Sequence, residues 1–134
     1  MTLDQAIQSM VSALQPVKTQ IPEMQIYGYF NTNPTPPSID IYPADPFQDG
    51  AGFGPGAKRV FWNVRARVAT GDPEAASKLL LRLLDTEDAA SVETALLAAG
   101  VTVGNEGSVG GFVRFTDDAV GDLIATQWKV EMFV

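Results

Sequence analysis

The sequence of 134 residues contains no cysteine and no histidine. Without cysteine there is no disulfide framework, no thiolate nucleophile and no cysteine-ligated zinc site. Without histidine there is no serine–histidine dyad and no imidazole base or metal ligand. Basic residues are also scarce, nine against sixteen acidic ones, and a net charge of −7 argues against direct nucleic-acid recognition. Most hydrolase, protease and zinc-enzyme classes are therefore excluded.

Long apolar runs are lacking as well. No stretch approaches the roughly 20 apolar residues that a membrane span needs. The N-terminal segment carries Asp4 and has no basic residue before Lys18, so it lacks the basic region of a signal peptide. We expect an intracellular protein that does not bind membranes. Hydrophobic residues still make up 46% of the chain, which is enough for one domain over residues 1–134.

Apolar residues at helical spacing, each set next to a capping or breaking residue, predict three helices. These are residues 3–14, capped by Thr2 and ended by Pro16; residues 73–84, capped by Asp72; and residues 92–99, ended by Gly100. We expect the replacement of Asp72 by alanine to cost about 1 kcal/mol.

Alternating or aromatic-rich segments predict the strands. They are residues 24–30, 38–42 (ended by Pro43), 58–69, the short 101–103, 112–115 and 125–134. The last segment is expected to pair with 58–69 or with 112–115. With the short 101–103 segment left uncounted, the order is α-β-β-β-α-α-β-β, which predicts an α+β fold with a mostly antiparallel sheet and helices packed on one face.

Two glycine-rich segments, residues 44–57 and 104–111, are predicted as loops. Neither has the GxxxxGK[ST] pattern, and the first leads into a strand, so neither predicts a nucleotide site. The first contains Phe47 and Phe53, whose rings either fold back on the domain or pack on a partner chain.

Acidic residues near the C-terminus, at 117, 118 and 122, match no calcium loop and are interpreted as a solvated turn. We expect no catalytic residue, no cofactor and no metal site.

The strand at 58–69 has an apolar face and a second face that carries Phe61, Arg65 and Arg67. Six of the nine basic residues lie between positions 58 and 82. Aromatic and arginine side chains are enriched in interface cores, so we expect this exposed row to bind another chain. The replacement of both arginines by glutamate should then abolish assembly and leave folding intact. The full set of candidate interface residues is Phe47, Phe53, Phe61, Arg65, Arg67 and Arg114.

The arrangement of these segments resembles the tail terminator (tail completion) proteins of long-tailed bacteriophages, particularly those of actinobacterial hosts. The likeness covers most of the chain: the short N-terminal helix, the strand MQIYGYF, the connector NTNPTPPSIDIYPADP and the glycine-rich loop. It continues through the strand KRVFWNVRARVAT, which runs directly into GDPEAASKLLLRLLD, to the terminal WKVEMFV. The join of strand, GDP cap and leucine-rich helix is the most specific part.

The resemblance implies a subunit of a homo-oligomeric ring, typically a hexamer, at the head-proximal end of the virion tail, assembled in the host cytoplasm. Its partners would be other copies of itself, the tail tube protein and a neck or head-completion protein. The ring would stop tube polymerisation and provide the surface for head joining, without catalysis. The two glycine-rich loops and the exposed strand face would make the contacts. A head–tail connector and an unrelated small regulatory α+β binding module are the alternatives.

Overall fold

The computed structural model describes residues 2–32, 35–49, 59–69, 71–103, 113–117 and 121–133. In this part of the chain four helices and six strands follow in the order α1 (Leu3–Ala13), α2 (Gln15–Gln20), β1 (Gln25–Tyr27), β2 (Ser38–Asp49), β3 (Arg59–Ala69), α3 (Pro73–Leu84), α4 (Val92–Leu97), β4 (Thr102–Val103), β5 (Val113–Asp117) and β6 (Gly121–Phe133). The α+β fold is confirmed. The observed order differs from the predicted one in gaining α2 and in counting the short β4 as a strand. None of the described helices is long and apolar enough to cross a membrane.

The N-terminal helix begins as predicted and ends differently. The Thr2 hydroxyl accepts a hydrogen bond from the Gln5 N–H at 3.1 Å, and the Gln5 side chain accepts one from the Thr2 N–H at 2.8 Å, which is a capping box. The prediction that Pro16 ends the helical segment is wrong. The break lies at the buried Leu14, and Pro16 sits in the first turn of α2, where a missing N–H costs no helical hydrogen bond.

The sheet has the strand order β1-β2-β3-β6-β4, with β5 also paired to β6. The central pair is antiparallel and continuous, from Arg59 opposite Phe133 to Ala69 opposite Leu123. The C-terminal strand therefore pairs with both of the partners that the sequence offered, β3 and β5. Among the described strands only β1 is parallel to a neighbour, β2, so the sheet is mixed and mostly antiparallel.

Strand β2 continues beyond the point where Pro43 was predicted to end it. Pro43 lies opposite Trp62 and Gln48 lies opposite Val60, so residues 44–47 bulge from the regular pairing. A bulge accommodates residues that cannot take part in the ladder, which is how the strand passes Pro46. The predicted loop is therefore wrong for residues 44–49. The rest of that segment, like the predicted loop at 104–111, lies outside the described residues.

The caps of the other two helices set the path of the chain between β3 and β4. The Asp72 carboxylate accepts a hydrogen bond from the Ala75 N–H at 3.1 Å, which confirms it as the cap of α3. Ser91 caps α4 in the same way, at 3.2 Å from the Thr94 nitrogen. Gly100 has a φ of 75°, the left-handed conformation that a glycine adopts at the end of a helix.

A single hydrophobic cluster holds the described elements together. All four helices bury side chains in it, and they pack on the same face of the sheet, as predicted. That face supplies Val60, Trp62 and Val64 from β3 and Trp128 and Val130 from β6. Since alternate strand residues point to opposite sides, the intervening residues lie on the face away from the helices.

Candidate interaction surface

The outer face of the sheet, opposite the helices, is an aromatic and charged surface. Its residues are fixed by the register of the strands: Tyr27 from β1, Asp40 and Tyr42 from β2, Arg59, Phe61, Asn63, Arg65 and Arg67 from β3, and Gln127, Lys129, Glu131 and Phe133 from β6. We call this set the outer face. Beyond this set, on the same side of the sheet and near Ala69, Leu123 and Ala125 are buried.

A buried ion cluster lies on the outer face. The Asp40 carboxylate has no solvent exposure, and its Oδ2 atom lies 3.1 Å from an Nη2 atom of both Arg65 and Arg67. The Arg67 side chain is only 3% exposed and that of Arg65 17% exposed. Charges removed from water this completely need close partners, and here one carboxylate is shared by two guanidinium groups.

The ion cluster fixes the segment that follows β1. Arg67 donates a hydrogen bond to the Asn31 carbonyl at 2.8 Å, and the Asn31 N–H donates to Asp40 at 3.4 Å. The Phe30 ring packs edge-on against Tyr42 with centroids 5.0 Å apart, and the Arg65 guanidinium lies 4.8 Å from the Phe30 centroid. Residues 28–32, which we call the aromatic segment, are thereby held over the edge of the outer face.

The aromatic segment leaves its rings at the surface. Tyr29 is 59% exposed and Phe30 is 48% exposed, and the Tyr29 ring packs on Tyr27 at 5.6 Å. Exposed rings in a fixed backbone lose little conformational freedom on binding, which favours their use as contact points. This end of the outer face therefore presents two half-exposed rings on an anchored backbone.

Polar side chains cross the middle of the outer face. The Tyr42 hydroxyl donates to the Gln127 side-chain oxygen at 3.4 Å, and the Gln127 amide donates to Asn63 at 3.2 Å. Burial raises the pKa of the Tyr42 phenol, an effect that the Arg65 charge opposes. The neutral phenol is the form that can donate this hydrogen bond.

The far end of the outer face combines a phenylalanine with two cations. The Arg59 guanidinium lies 5.0 Å and the Lys129 ammonium 5.1 Å from the centroid of the Phe61 ring. Arg59 also pairs with Glu131 at 3.1 Å. Cation–π contacts of this kind hold an aromatic ring and its charged neighbours in fixed positions at a surface.

The structure places the predicted interface residues in different environments. Phe61 and Arg65 lie on the outer face as predicted. The prediction that Arg67 is exposed is wrong, because its side chain is buried in the ion cluster beneath the aromatic segment. The expectation that charge reversal at Arg65 and Arg67 leaves folding intact assumed that both side chains are exposed. With Arg67 buried, we expect the double variant to be destabilised instead, since it would place acidic groups against Asp40.

The remaining candidates lie elsewhere. The Phe47 ring packs on Trp62 with centroids 4.8 Å apart and joins the hydrophobic core, so of its two predicted placements the structure supports folding back on the domain. Phe53 lies outside the described residues. Arg114 is in β5 opposite Ile124, and its side chain is not among those described.

Sequence reasoning missed Asp40, Lys129 and the aromatic segment. The polar–apolar alternation of residues 38–42 does place Asp40 and Tyr42 on one face. Only the pairing of β2 with β3, which sets Asp40 opposite Arg65, shows that this face is also the face of the arginines.

In the described ranges, no group of three or more acidic residues could hold a metal ion. A groove of about 260 Å³ lies beside the start of α3, lined mainly by apolar side chains with Glu23 and Asp72 among them. The Asp72 carboxylate already caps α3, so the groove is not a converging pair of available acids.

No protein-family model matches this sequence, and no curated protein is significantly similar to it.

Proposed function

We propose that the chain is a virion assembly protein of the tail terminator type, a ring subunit that caps the head-proximal end of a phage tail tube. The resemblance noted in the sequence supplies this hypothesis, and the outer face is the observation that carries it. Among the described side chains, six of the chain's twelve aromatic residues lie on this face or in the aromatic segment: Tyr27, Tyr29, Phe30, Tyr42, Phe61 and Phe133.

A face of this composition is costly for a sheet that meets only water. Solvent-facing strand positions in antiparallel sheets are usually polar, whereas aromatic and arginine side chains are enriched in the cores of protein interfaces. The two rings of the aromatic segment stay about half exposed although the ion cluster beneath them holds the backbone in place. The outer face therefore fits a subunit that binds other protein chains.

Termination of a polymer requires a subunit with two unlike surfaces. One surface must complement the open end of the tube, and the other must fail to accept a further tube subunit while accepting a neck protein.

Electron microscopy of the purified protein mixed with growing tail tubes tests the proposal. We expect rings at one end of each tube and an arrest of tube growth. Tubes that grow at the same rate and carry no caps would contradict the proposal. Deletion of the gene separates the two phage roles, because overlong tails indicate termination whereas tails of normal length beside unattached heads indicate a connector.

A charge-matched pair of variants connects this test to the outer face. Lys129→Glu places a carboxylate beside Phe61 on the outer face, whereas Lys18→Glu makes the same change at an exposed position of α2. We expect capping to fail with the first variant and to persist with the second. Equal capping by both variants would exclude this part of the outer face from the contact.

A further inference from the structure

The exposed apolar side chains of the described residues divide between two surfaces. Tyr29, Phe30 and Phe133 belong to the outer face and its aromatic segment, whereas Leu81 and Leu97 are both more than half exposed on helices α3 and α4. Helices and outer face lie on opposite sides of the sheet. The molecule therefore presents an apolar contact point on each of its two sides.

The two exposed leucines stand beside acidic residues, and the two cations nearest Leu81 on α3 are each paired with an acid, Lys78 with Glu74 at 2.9 Å and Arg82 with Asp88 at 3.3 Å. Asp85 follows Leu81 by four residues at the end of α3, and Leu97 follows Glu93 by four residues on α4, so each pair shares one side of its helix. Glu87 is exposed in the connection between the helices, which is tied to α4 by a hydrogen bond from the Thr94 hydroxyl to the Thr86 carbonyl at 3.4 Å. We call Leu81, Asp85, Glu87, Glu93 and Leu97 the acidic helical surface.

The outer face carries the opposite charge. Along the regular pairing of β2, β3 and β6, this side of the sheet has four cations, Arg59, Arg65, Arg67 and Lys129, and three acidic positions, Asp40, Glu131 and Asp49, the last opposite Arg59. The excess is one positive charge in a chain whose net charge is −7. Each of the two surfaces thus combines exposed apolar groups with a charge that complements the other.

We propose that the outer face of one copy of this chain binds the acidic helical surface of the next copy. The contact is heterologous, because two different surfaces meet, and a heterologous contact repeats from copy to copy and forms a ring when its rotation closes. Complementary charge fixes the orientation of such a contact, and the apolar groups supply buried area. This inference deepens the ring proposed above and rests on it for the biological role of the assembly.

Two charge-reversal variants test the contact. The variant Arg59→Glu/Lys129→Glu reverses the cations that flank Phe61, and the variant Glu87→Lys/Glu93→Lys reverses two acids of the acidic helical surface. We expect each variant alone to lose self-association by at least about tenfold in dissociation constant, because like charges then face each other in every contact. Sedimentation velocity of the full chain, across a range of concentrations and at low and high salt, measures the loss.

Mixing the two variants in equal amounts is the experiment that decides whether the two surfaces bind each other. In the mixture the acidic outer face of one variant meets the basic helical surface of the other, and the unmodified surfaces of the pair also remain complementary. We expect alternating assemblies of wild-type size to return. Since a misfolded chain cannot be rescued by mixing, this arm also controls for folding, and Lys18→Glu serves as the neutral reference.

Other outcomes overturn the inference. The first is assembly to the wild-type size by either double variant alone. The second is a mixture that stays dissociated although circular dichroism shows both variants to be folded. The third is a wild-type chain that stays monomeric at all concentrations. The capping assay is read separately. Assemblies that follow the mixing rule but leave tubes uncapped would refute the terminator role alone, whereas capping that survives both reversals would refute this contact alone.

Discussion

Replacing Asp40 by alanine tests whether the ion cluster stabilises the fold. The carboxylate has no solvent exposure, and two guanidinium groups lie 3.1 Å from one of its oxygens. Its removal leaves the Arg67 guanidinium buried opposite a methyl group, still bonded to the Asn31 carbonyl. Breaking a buried ion pair from one side costs about 3–5 kcal/mol, and we expect Asp40→Ala to lower the free energy of unfolding by that amount.

The two arginines should differ in the same experiment. Arg65→Ala leaves Asp40 paired with Arg67, and the Arg65 side chain is partly exposed, so we expect a loss of about 1–2 kcal/mol. Arg67→Ala also removes the hydrogen bond to Asn31, and we expect about 3 kcal/mol. In the double variant Asp40→Ala/Arg67→Ala no unpaired charge of this pair remains. Its loss should therefore fall short of the sum of the single losses by about 1–3 kcal/mol.

Urea unfolding followed by tryptophan fluorescence measures these differences. Trp62 and Trp128 are both about 1% exposed, so their emission reports loss of the core. Asp45→Ala, at an exposed position of the same strand, is the matched control and should change stability by less than about 0.5 kcal/mol. A loss below about 1 kcal/mol for Asp40→Ala, or strict additivity in the double variant, would refute the reasoning.

Three further predictions concern local geometry. Gly28→Ala should lower the free energy of unfolding in urea by about 1–3 kcal/mol, because the new Cβ would lie 2.8 Å from the Ile7 Cγ2 atom. Adding Ile7→Ala to this variant should restore part of the loss. Gly71→Ala should cost less, because nothing lies within 4 Å of the position its Cβ would take. Gly100→Ala should cost about 1 kcal/mol by the same measurement, since an L side chain is strained at a φ of 75°. The Ala90 N–H donates a hydrogen bond to the Asp88 carboxylate and lowers the pKa of Asp88. The stability that this bond contributes to the fold is therefore present at neutral pH and is lost as the carboxylate becomes protonated. The melting temperature of Asp88→Asn should therefore lie below that of the wild type at pH 7, and the gap should close below about pH 4.

The sequence predicted those elements whose signals are local. A capping carboxylate at Asp72, a proline after it and leucines at helical spacing define α3 without reference to the rest of the chain. The same holds for the alternation of β3. The prediction that a strand ends at Pro43 was wrong, because tertiary structure outweighs this local signal. Pro43 ends a strand only if no bulge follows it. Burial of Phe47 against Trp62 stabilises that bulge, and the sequence does not show this contact.

The outer face was predicted only in part, for a related reason. Alternation identifies the residues of β3 that point away from the core, including Arg65 and Arg67, but it treats them alike. Their difference comes from the segment after β1, which crosses the sheet edge and covers Arg67 through the Asn31 carbonyl. A contact 36 residues apart in sequence has no periodic signature. Burial on the outer face therefore became visible only with the fold.

This difference decides which residues can test a binding role for the outer face. Arg67 holds the aromatic segment in place, so its replacement would disturb folding and binding together, and a loss of assembly would have two explanations. Lys129 lies on the same face, and its described contact is with the Phe61 ring at 5.1 Å, outside the ion cluster. Reversal of its charge changes the field of the surface and leaves Asp40 and its partners intact. A loss of assembly in Lys129→Glu, with the unfolding midpoint unchanged, would therefore assign the effect to the contact itself.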